Sequence, residues 1–416
     1  MHDLLKDMGG EIVQQESPWH PGKRSRLWFY EDVLQILEEN MGTDEIKGIL
    51  LDHLPQGKEI VRWSGWAFQK MKSLRILIVK KASFSQGPKH LPNCLRVLDW
   101  RGYPSRSLPP DFHPKKLAIF NLADSFLILD KPFQNLECLT IMDLSDSKFL
   151  TEIPDFSGVP NLRKLYLDNC YNLIEVHDSI GFLGKLEELS AAGCTNLITI
   201  PHVMKLTSLR YLSFFGCSRL TRFPEILGIM ENISFINLWQ TALQELPCSM
   251  GNLVGLESLN IMECICLNQL PCSIFSLPRL REVEAEGCLG FKFANDLSTV
   301  SLSKIRLYLG SCNLSDAFIF TCLSGFPNVS FLDLSYNNFT ILPECIKECV
   351  FLKTLLLQNC KHLQEISGLP PNAEEIDALN CTSLSFQSSD LLMSQLFVWA
   401  RTMRLCCSKS YELFSM

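Results

Sequence analysis

The chain has 416 residues, of which 47% are hydrophobic and 20% charged, and its formal net charge is −7. That acidic balance excludes the dense basic footprint of a nucleic-acid-binding surface, and no apolar run reaches the roughly 18–20 residues of a membrane span. Eighteen cysteines follow an N-terminus interrupted by Asp3 and Asp7 rather than an apolar leader, so they are expected as thiols in a reducing compartment.

In chain order, Leu4, Leu5, Met8, Ile12 and Val13 recur at helical spacing and predict an amphipathic helix. "SPWHPG" breaks it with two prolines and a glycine. "YEDVLQILEENMG" predicts a second helix with Val33, Leu34 and Leu37 inward and Gly42 near its end. "IKGILLDHL" reads as a strand. "PGKRS" at Pro21–Ser25 resembles a phosphate loop, but Ser17 stands where its first glycine should be and Arg24 separates Lys23 from Ser25. Residues 1–45 therefore form a small helical segment, residues 46–384 a repeat array, and residues 385–416 a C-terminal cap and tail.

The array declares itself in "LRKLYLDNCYNLIEV", "LEELSAAGCTNLITIP", "LRYLSFFGCSRLTRFP", "LESLNIMECICLNQLP" and "LKTLLLQNCKHLQEIS". Each follows LxxLxLxxCxxLxxI/LP, a leucine-rich-repeat pattern with Cys where Asn often stands. The landmark falls at Ser147, Cys170, Cys194, Cys217, Thr241, Cys264, Cys288, Cys312, Asn337, Cys360 and Cys381, with gaps of 23, 24, 23, 24, 23, 24, 24, 25, 23 and 21 residues. Weaker units extend back through Ser125, Tyr103 and Ala82. Alternate residues of an LxL strand face opposite ways, so the leucines of successive units merge into one core. The expected fold is an α/β leucine-rich-repeat solenoid with a parallel sheet on its concave face. A proline then ends the extended segment (Pro154, Pro201, Pro224, Pro247, Pro271, Pro343), and the stretch beyond it predicts short irregular turns on the convex side.

Recognition in such an array belongs to the concave face, where residues six, four and two before each landmark point outward. There Tyr166, Tyr211, Phe215, Phe235, Trp239 and Met262 predict an apolar patch beside an acidic row at Glu282, Glu284 and Glu286. No catalytic or metal constellation competes. The landmark cysteines match no zinc spacing, and the close pairs Cys264/Cys266, Cys345/Cys349 and Cys406/Cys407 have no histidine cluster beside them. His177, His202 and His362 stand singly and are expected at the surface. At the C-terminus, "SSDLLMSQLFVWARTMRLCC" predicts a helix with Leu392, Leu396, Trp399 and Met403 on one face after a Ser388/Ser389/Asp390 cap.

"MHDLLKDMGGEIV", "PGKRSRLW", "EDVLQILEENMGTDEIKGILLD" and the repeat array, in that order, resemble plant intracellular immune receptors of the Toll/interleukin-receptor-type, NB-ARC, leucine-rich-repeat class. By that resemblance Met1-His2-Asp3 looks like the motif that ends the nucleotide switch, with His2 contacting the phosphates of ADP and Asp3 supporting the local fold. ADP or ATP would belong to the full-length receptor. The phosphate loop and the NAD-cleaving Toll-type domain have no counterpart in this sequence, so no cofactor and no enzyme activity are expected of it. The resemblance implies two protein partners, a pathogen effector and the NB-ARC domain of the same or a related receptor. It also implies a cytoplasmic location, with the nucleus as a second site. A truncated decoy or regulator, or an extracellular receptor ectodomain, are the alternative readings.

Overall fold

The computed structural model describes residues 3–57, 59–129, 131–289, 292–293 and 304–398. The chain divides into two compact units, Met1–Pro201 and His202–Met416.

The first unit is a run of parallel strands taken in sequence order. They are Arg26–Leu27, Gly48–Leu51, Ile76–Val79, Val97–Trp100, Ile119–Asn121, Ile141–Asp143, Lys164–Tyr166 and Glu188–Ser190. In the second unit the run is Tyr211–Ser213, Phe235–Asn237, Ser258–Asn260, Glu282–Glu284, Ile305–Tyr308, Val329–Asp333, Thr354–Leu356 and Glu375–Asp377. Register is kept residue for residue, so Leu165 lies beside Leu189 and Leu259 beside Val283, all buried. Both units thus have the leucine-rich-repeat fold. On the far side the chain makes short 3-10 turns, three of them entered through Pro247, Pro271 and Pro343. Past Cys312, where the longest repeat occurs, a full helix α3 (Asp316–Gly325) replaces the turn, its N-cap Ser315 accepting from the Phe318 amide.

The bend after each strand shows why the landmark recurs. The landmark residues are buried from Ala82 to Cys381. Each of Cys170, Cys194, Cys264, Cys288, Cys312, Cys360 and Cys381 donates its thiol to a backbone carbonyl of the preceding coil, at 3.0 to 3.2 Å. Asn337 serves the equivalent carbonyl, Leu309, through Nδ2 at 2.8 Å. The residue just before each landmark has positive φ, including Asp146, Asn169, Gln240, Glu263, Tyr336, Asn359 and Asn380, besides Gly193, Gly216 and Gly287. Glycine, Asn and Asp enter that left-handed region most readily, and they hold it in most coils.

Helix α1 (Asp3–Glu16) forms as expected, but its contact face differs. Met8 and Ile12 are exposed, while Val13 is buried. The helix packs through Gly9 and Gly10, where a Cβ would meet the Trp28 ring at 2.7 Å and the Phe29 ring at 3.0 Å. Missing side chains, not an apolar stripe, admit those rings. Helix α2 (Tyr30–Glu38) buries Val33, Leu34, Ile36 and Leu37. Next to it the phosphate-loop lookalike is structural: the buried Arg24 guanidinium binds the carbonyls of Ser17 (2.8 Å) and Pro18 (2.9 Å) and the Asp32 carboxylate.

The C-terminal helix α4 spans Phe386–Val398, and its cap is not the expected one. Ser385 Oγ accepts from the Ser388 amide at 3.2 Å, so the cap precedes Ser388, Ser389 and Asp390, which lie inside the helix. Ser388 is buried instead, its Oγ accepting from the Ile366 amide at 2.9 Å and tying α4 to the preceding coil. Leu392 is buried; Trp399, Met403, Cys406 and Cys407 lie outside the described residues.

Candidate functional site

The outward strand positions carry two jobs. Four residues before the landmark, Asn121, Asp143, Asn237, Asn260, Asp333 and Asp377 each accept a hydrogen bond from the amide two residues on, at 2.9 to 3.1 Å. These short side chains cap a backbone donor that the bend leaves open. Two coils find a substitute in the preceding one, Asp168 serving the Ala192 amide and Ser335 Oγ the Gln358 amide. At Tyr166, Glu284 and Tyr308 the capping side chain is replaced by a long one. The amides of Asp168, Glu286 and Gly310 then have no hydrogen-bond partner among the described residues. Where the cap is given up, the long side chain reaches a neighbouring residue instead: Tyr166 donates to Glu188, Glu284 accepts from Asn260 Nδ2 at 2.5 Å, and the Tyr308 hydroxyl accepts from Arg306.

In the first unit, Tyr166 is half-buried and donates its hydroxyl to Glu188, which also pairs with Lys164 at 2.7 Å. Burial, and then the Glu188 hydrogen bond and charge, push the Tyr166 phenol up. Tyr166 is thus fixed in a polar network rather than presented as an apolar surface.

The second unit brings the other candidates together in neighbouring coils. Tyr211 stacks on Phe235 with ring centroids 5.6 Å apart, and Phe215 lies 5.0 Å from Trp239. All four rings and Met262 are half-buried, since they cover one another instead of standing free. The Trp239 Nε1 donor is buried and has no partner among the described residues. The acidic row follows in register, Ser258 pairing with Glu282 and Asn260 with Glu284.

Sequence reasoning stopped at Glu286, and the face continues past it. Arg306 lies 3.6 Å from Glu282 and sits over the rings of Tyr308 (5.4 Å) and Phe331 (5.0 Å), which are themselves 4.7 Å apart. The signal was present in the repeat register: Arg306, Tyr308 and Phe331 occupy the same columns as the residues already singled out. Burial, then Glu282, hold the Glu284 carboxyl above the usual range against the opposing pull of Arg306; burial, then Asp333 and Glu263, do the same for Glu286. The carboxylates crowd one another with too little positive charge among them.

His2 lies outside the described residues, and of Asp3 only its place at the start of α1 is described. The described residues around Pro21–Ser25 do not fit a nucleotide, because Arg24 is buried in contacts with Ser17, Pro18 and Asp32. Among the described residues no group of His, Cys, Asp or Glu could hold a metal ion, and no helix is long and apolar enough to cross a membrane.

Comparison with known proteins adds the family. The profile described as "Disease resistance protein RPS4B-like, leucine-rich repeats" matches residues 205–408. TMV resistance protein N of Nicotiana glutinosa is 32% identical over 427 residues, covering 90% of this chain and 37% of that protein. Disease resistance protein RPS6 of Arabidopsis thaliana is 31% identical over 440 residues, covering 92% and 36%. Disease resistance protein RPP2A of the same plant is 36% identical over 276 residues, covering 64% and 21%. Among solved structures, a Leptospira interrogans leucine-rich-repeat protein gives a TM-score of 0.47 at 19% identity, over 87% of this chain and 90% of that one. The APL1 leucine-rich-repeat domain gives 0.48 at 15%, over 92% and 85%. The chain spans no more than 37% of the length of these three curated relatives. Its repeats, its bends and these relatives together place it in the plant disease-resistance receptors of the Toll/interleukin-receptor-type, NB-ARC, leucine-rich-repeat class, as a leucine-rich-repeat module.

Proposed function

We propose that the strand face of the second unit is the protein-recognition surface of a plant defence receptor, binding a pathogen effector and holding the receptor's own NB-ARC domain closed. One observation carries the reading: consecutive coils place Phe215, Trp239, Met262 and Glu286 in one column two residues before the landmark, beside a column of short caps in which Glu284 and Tyr308 stand as long side chains. Large rings and carboxylates there serve no need of the bend. Binding would act as a switch only through a difference in affinity, the ligand preferring the open receptor over the closed one. The chain acts as a binding module rather than an enzyme; ADP or ATP would be held by the switch of the full-length receptor, in the cytoplasm or nucleus.

The test is docking of a separately expressed NB-ARC domain from the same receptor. Phe215→Ala with Trp239→Ala is expected to abolish docking while leaving circular dichroism unchanged. Undiminished docking would remove this face from consideration. Calorimetry of the purified chain with ADP, ATP and NAD is expected to show no heat of binding.

A further inference from the structure

We propose that the face from Trp239 to Asp333 receives an extended, cationic peptide segment, its carbonyl oxygens accepting from the amides of Glu286 and Gly310 and its Lys or Arg side chains lying among Glu263, Glu284, Glu286 and Asp333. This deepens the recognition reading above and rests on it. The first support is charge. Glu282 has Arg306, Glu257 has Arg281 and Glu374 has Lys353. Glu263, Glu284, Glu286 and Asp333 have no Lys or Arg within ion-pair distance among the described residues, and Glu286 feels both Asp333 and Glu263 as like charges. A positive side chain relieves that repulsion, whereas an acidic segment or a nucleic acid adds to it.

The second support is the set of open donors. Glu284 and Tyr308 leave the amides of Glu286 and Gly310 without a cap on neighbouring strands, and Trp239 Nε1 is a third unpartnered donor on this face. Buried donors gain most from a ligand that brings acceptors. An extended segment offers carbonyls along its length, whereas a helix consumes its own except at the last turn. Gly310, at the centre of the face, is buried and has no side chain; an added Cβ would meet Glu286 Cγ and the Ser335 carbonyl oxygen, each at 3.5 Å. Phe215, Trp239 and Met262 form a shelf on which the aliphatic stem or guanidinium of an Arg can lie.

Two labelled 12-residue peptides, one alternating Arg and Thr and one alternating Glu and Thr, would be titrated against the full chain by fluorescence anisotropy. Saturable binding of the Arg peptide, weakening steeply with salt, and none of the Glu peptide are expected. Glu284→Asp keeps the charge but supplies the short side chain that caps the amide two residues on, as Asp333 and Asp377 do. It should bind the Arg peptide at least fivefold more weakly with an unchanged or higher thermal midpoint. Glu286→Gln should weaken binding by a similar factor and flatten the salt dependence. Equal binding of the two peptides, or of neither, overturns the cationic segment. Wild-type affinity in Glu284→Asp overturns the role of the open amide. The Phe215/Trp239 docking assay is read separately: ring-dependent docking without Arg-peptide binding leaves the recognition face standing and removes only this inference.

Discussion

Asn337 is the landmark on which the structure spends most hydrogen bonds, so its replacement is the sharpest check of how the coils are joined. Its Nδ2 donates to the carbonyls of Leu309 (2.8 Å), Leu334 (2.9 Å) and Ser335 (3.3 Å), and its Oδ1 accepts from the amides of Cys312 (3.1 Å) and Leu314 (3.0 Å). The residue is buried, at 1% exposure, so water cannot replace these partners. Asn337→Ala leaves two buried amides unsatisfied at about 1–3 kcal/mol each, a loss of about 2–6 kcal/mol. Cys360, in the next coil, gives one weak thiol bond to Leu334 at 3.2 Å. Its replacement by alanine should cost only about 1–2 kcal/mol, part of it the small void. Asn337→Cys recovers the bond to Leu309 but neither amide, and should fall between. Urea titration followed by circular dichroism ranks the three. Equal midpoints for Asn337→Ala and Cys360→Ala would refute the reasoning, since the amides would then have lost nothing.

Burial holds the Cys264, Cys288 and Cys312 thiols above the usual range, Cys312 to about 12. Folding therefore keeps protons that the unfolded chain loses near pH 8.5, so stability is full below that value and drains away as pH climbs toward about 12. The urea midpoint should fall from about pH 9 to about pH 11, and fall less in a Cys288→Ser, Cys312→Ser variant whose hydroxyls still donate; identical slopes would contradict this. Tyr336 is an exposed aromatic residue in the left-handed region, at φ 59°. Tyr336→Asn should raise the unfolding free energy by roughly 1 kcal/mol and the urea midpoint with it, and a lower midpoint would show that the ring is needed there. Arg24→Ala abandons the Asp32 carboxylate and two carbonyls, so limited proteolysis should cut between residues 14 and 29 far sooner than in the parent chain, whereas unchanged protection would deny Arg24 its bracing role.

The repeat, its inward leucines and the buried landmarks were legible because a period of about two dozen residues and an LxL alternation are properties of sequence alone. The left-handed residue before each landmark was not recognised, although Gly193, Gly216, Gly287, Asn169 and Asn359 carry its chemistry, because Gln240, Glu263 and Tyr336 blur the column. The caps at Asn237, Asn260 and Asp333 are not legible, since a polar side chain bonded to its own backbone looks the same in sequence as one facing solvent. The rings of Tyr211, Phe215, Phe235 and Trp239 were located correctly in register, but their mutual cover was not, because stacking depends on rotamers. In helix α1 the apolar spacing points to Met8 and Ile12, which are exposed, because a contact made through the bare backbone of Gly9 and Gly10 leaves no side chain to mark it.

The constancy of the segment between strand and landmark has a consequence for how such genes can change. Spacing from Glu282 to Cys288 equals that from Phe331 to Asn337, while the distance between successive landmarks drifts from 21 to 25 residues. A single-codon loss inside the former would turn the strand's inward leucines to the outer face, and the coil would come undone. On the back of the molecule the same loss merely shortens a turn, and a gain there has room for α3. Recombination that trades whole coils thus reshuffles the outward columns while every hinge stays in phase.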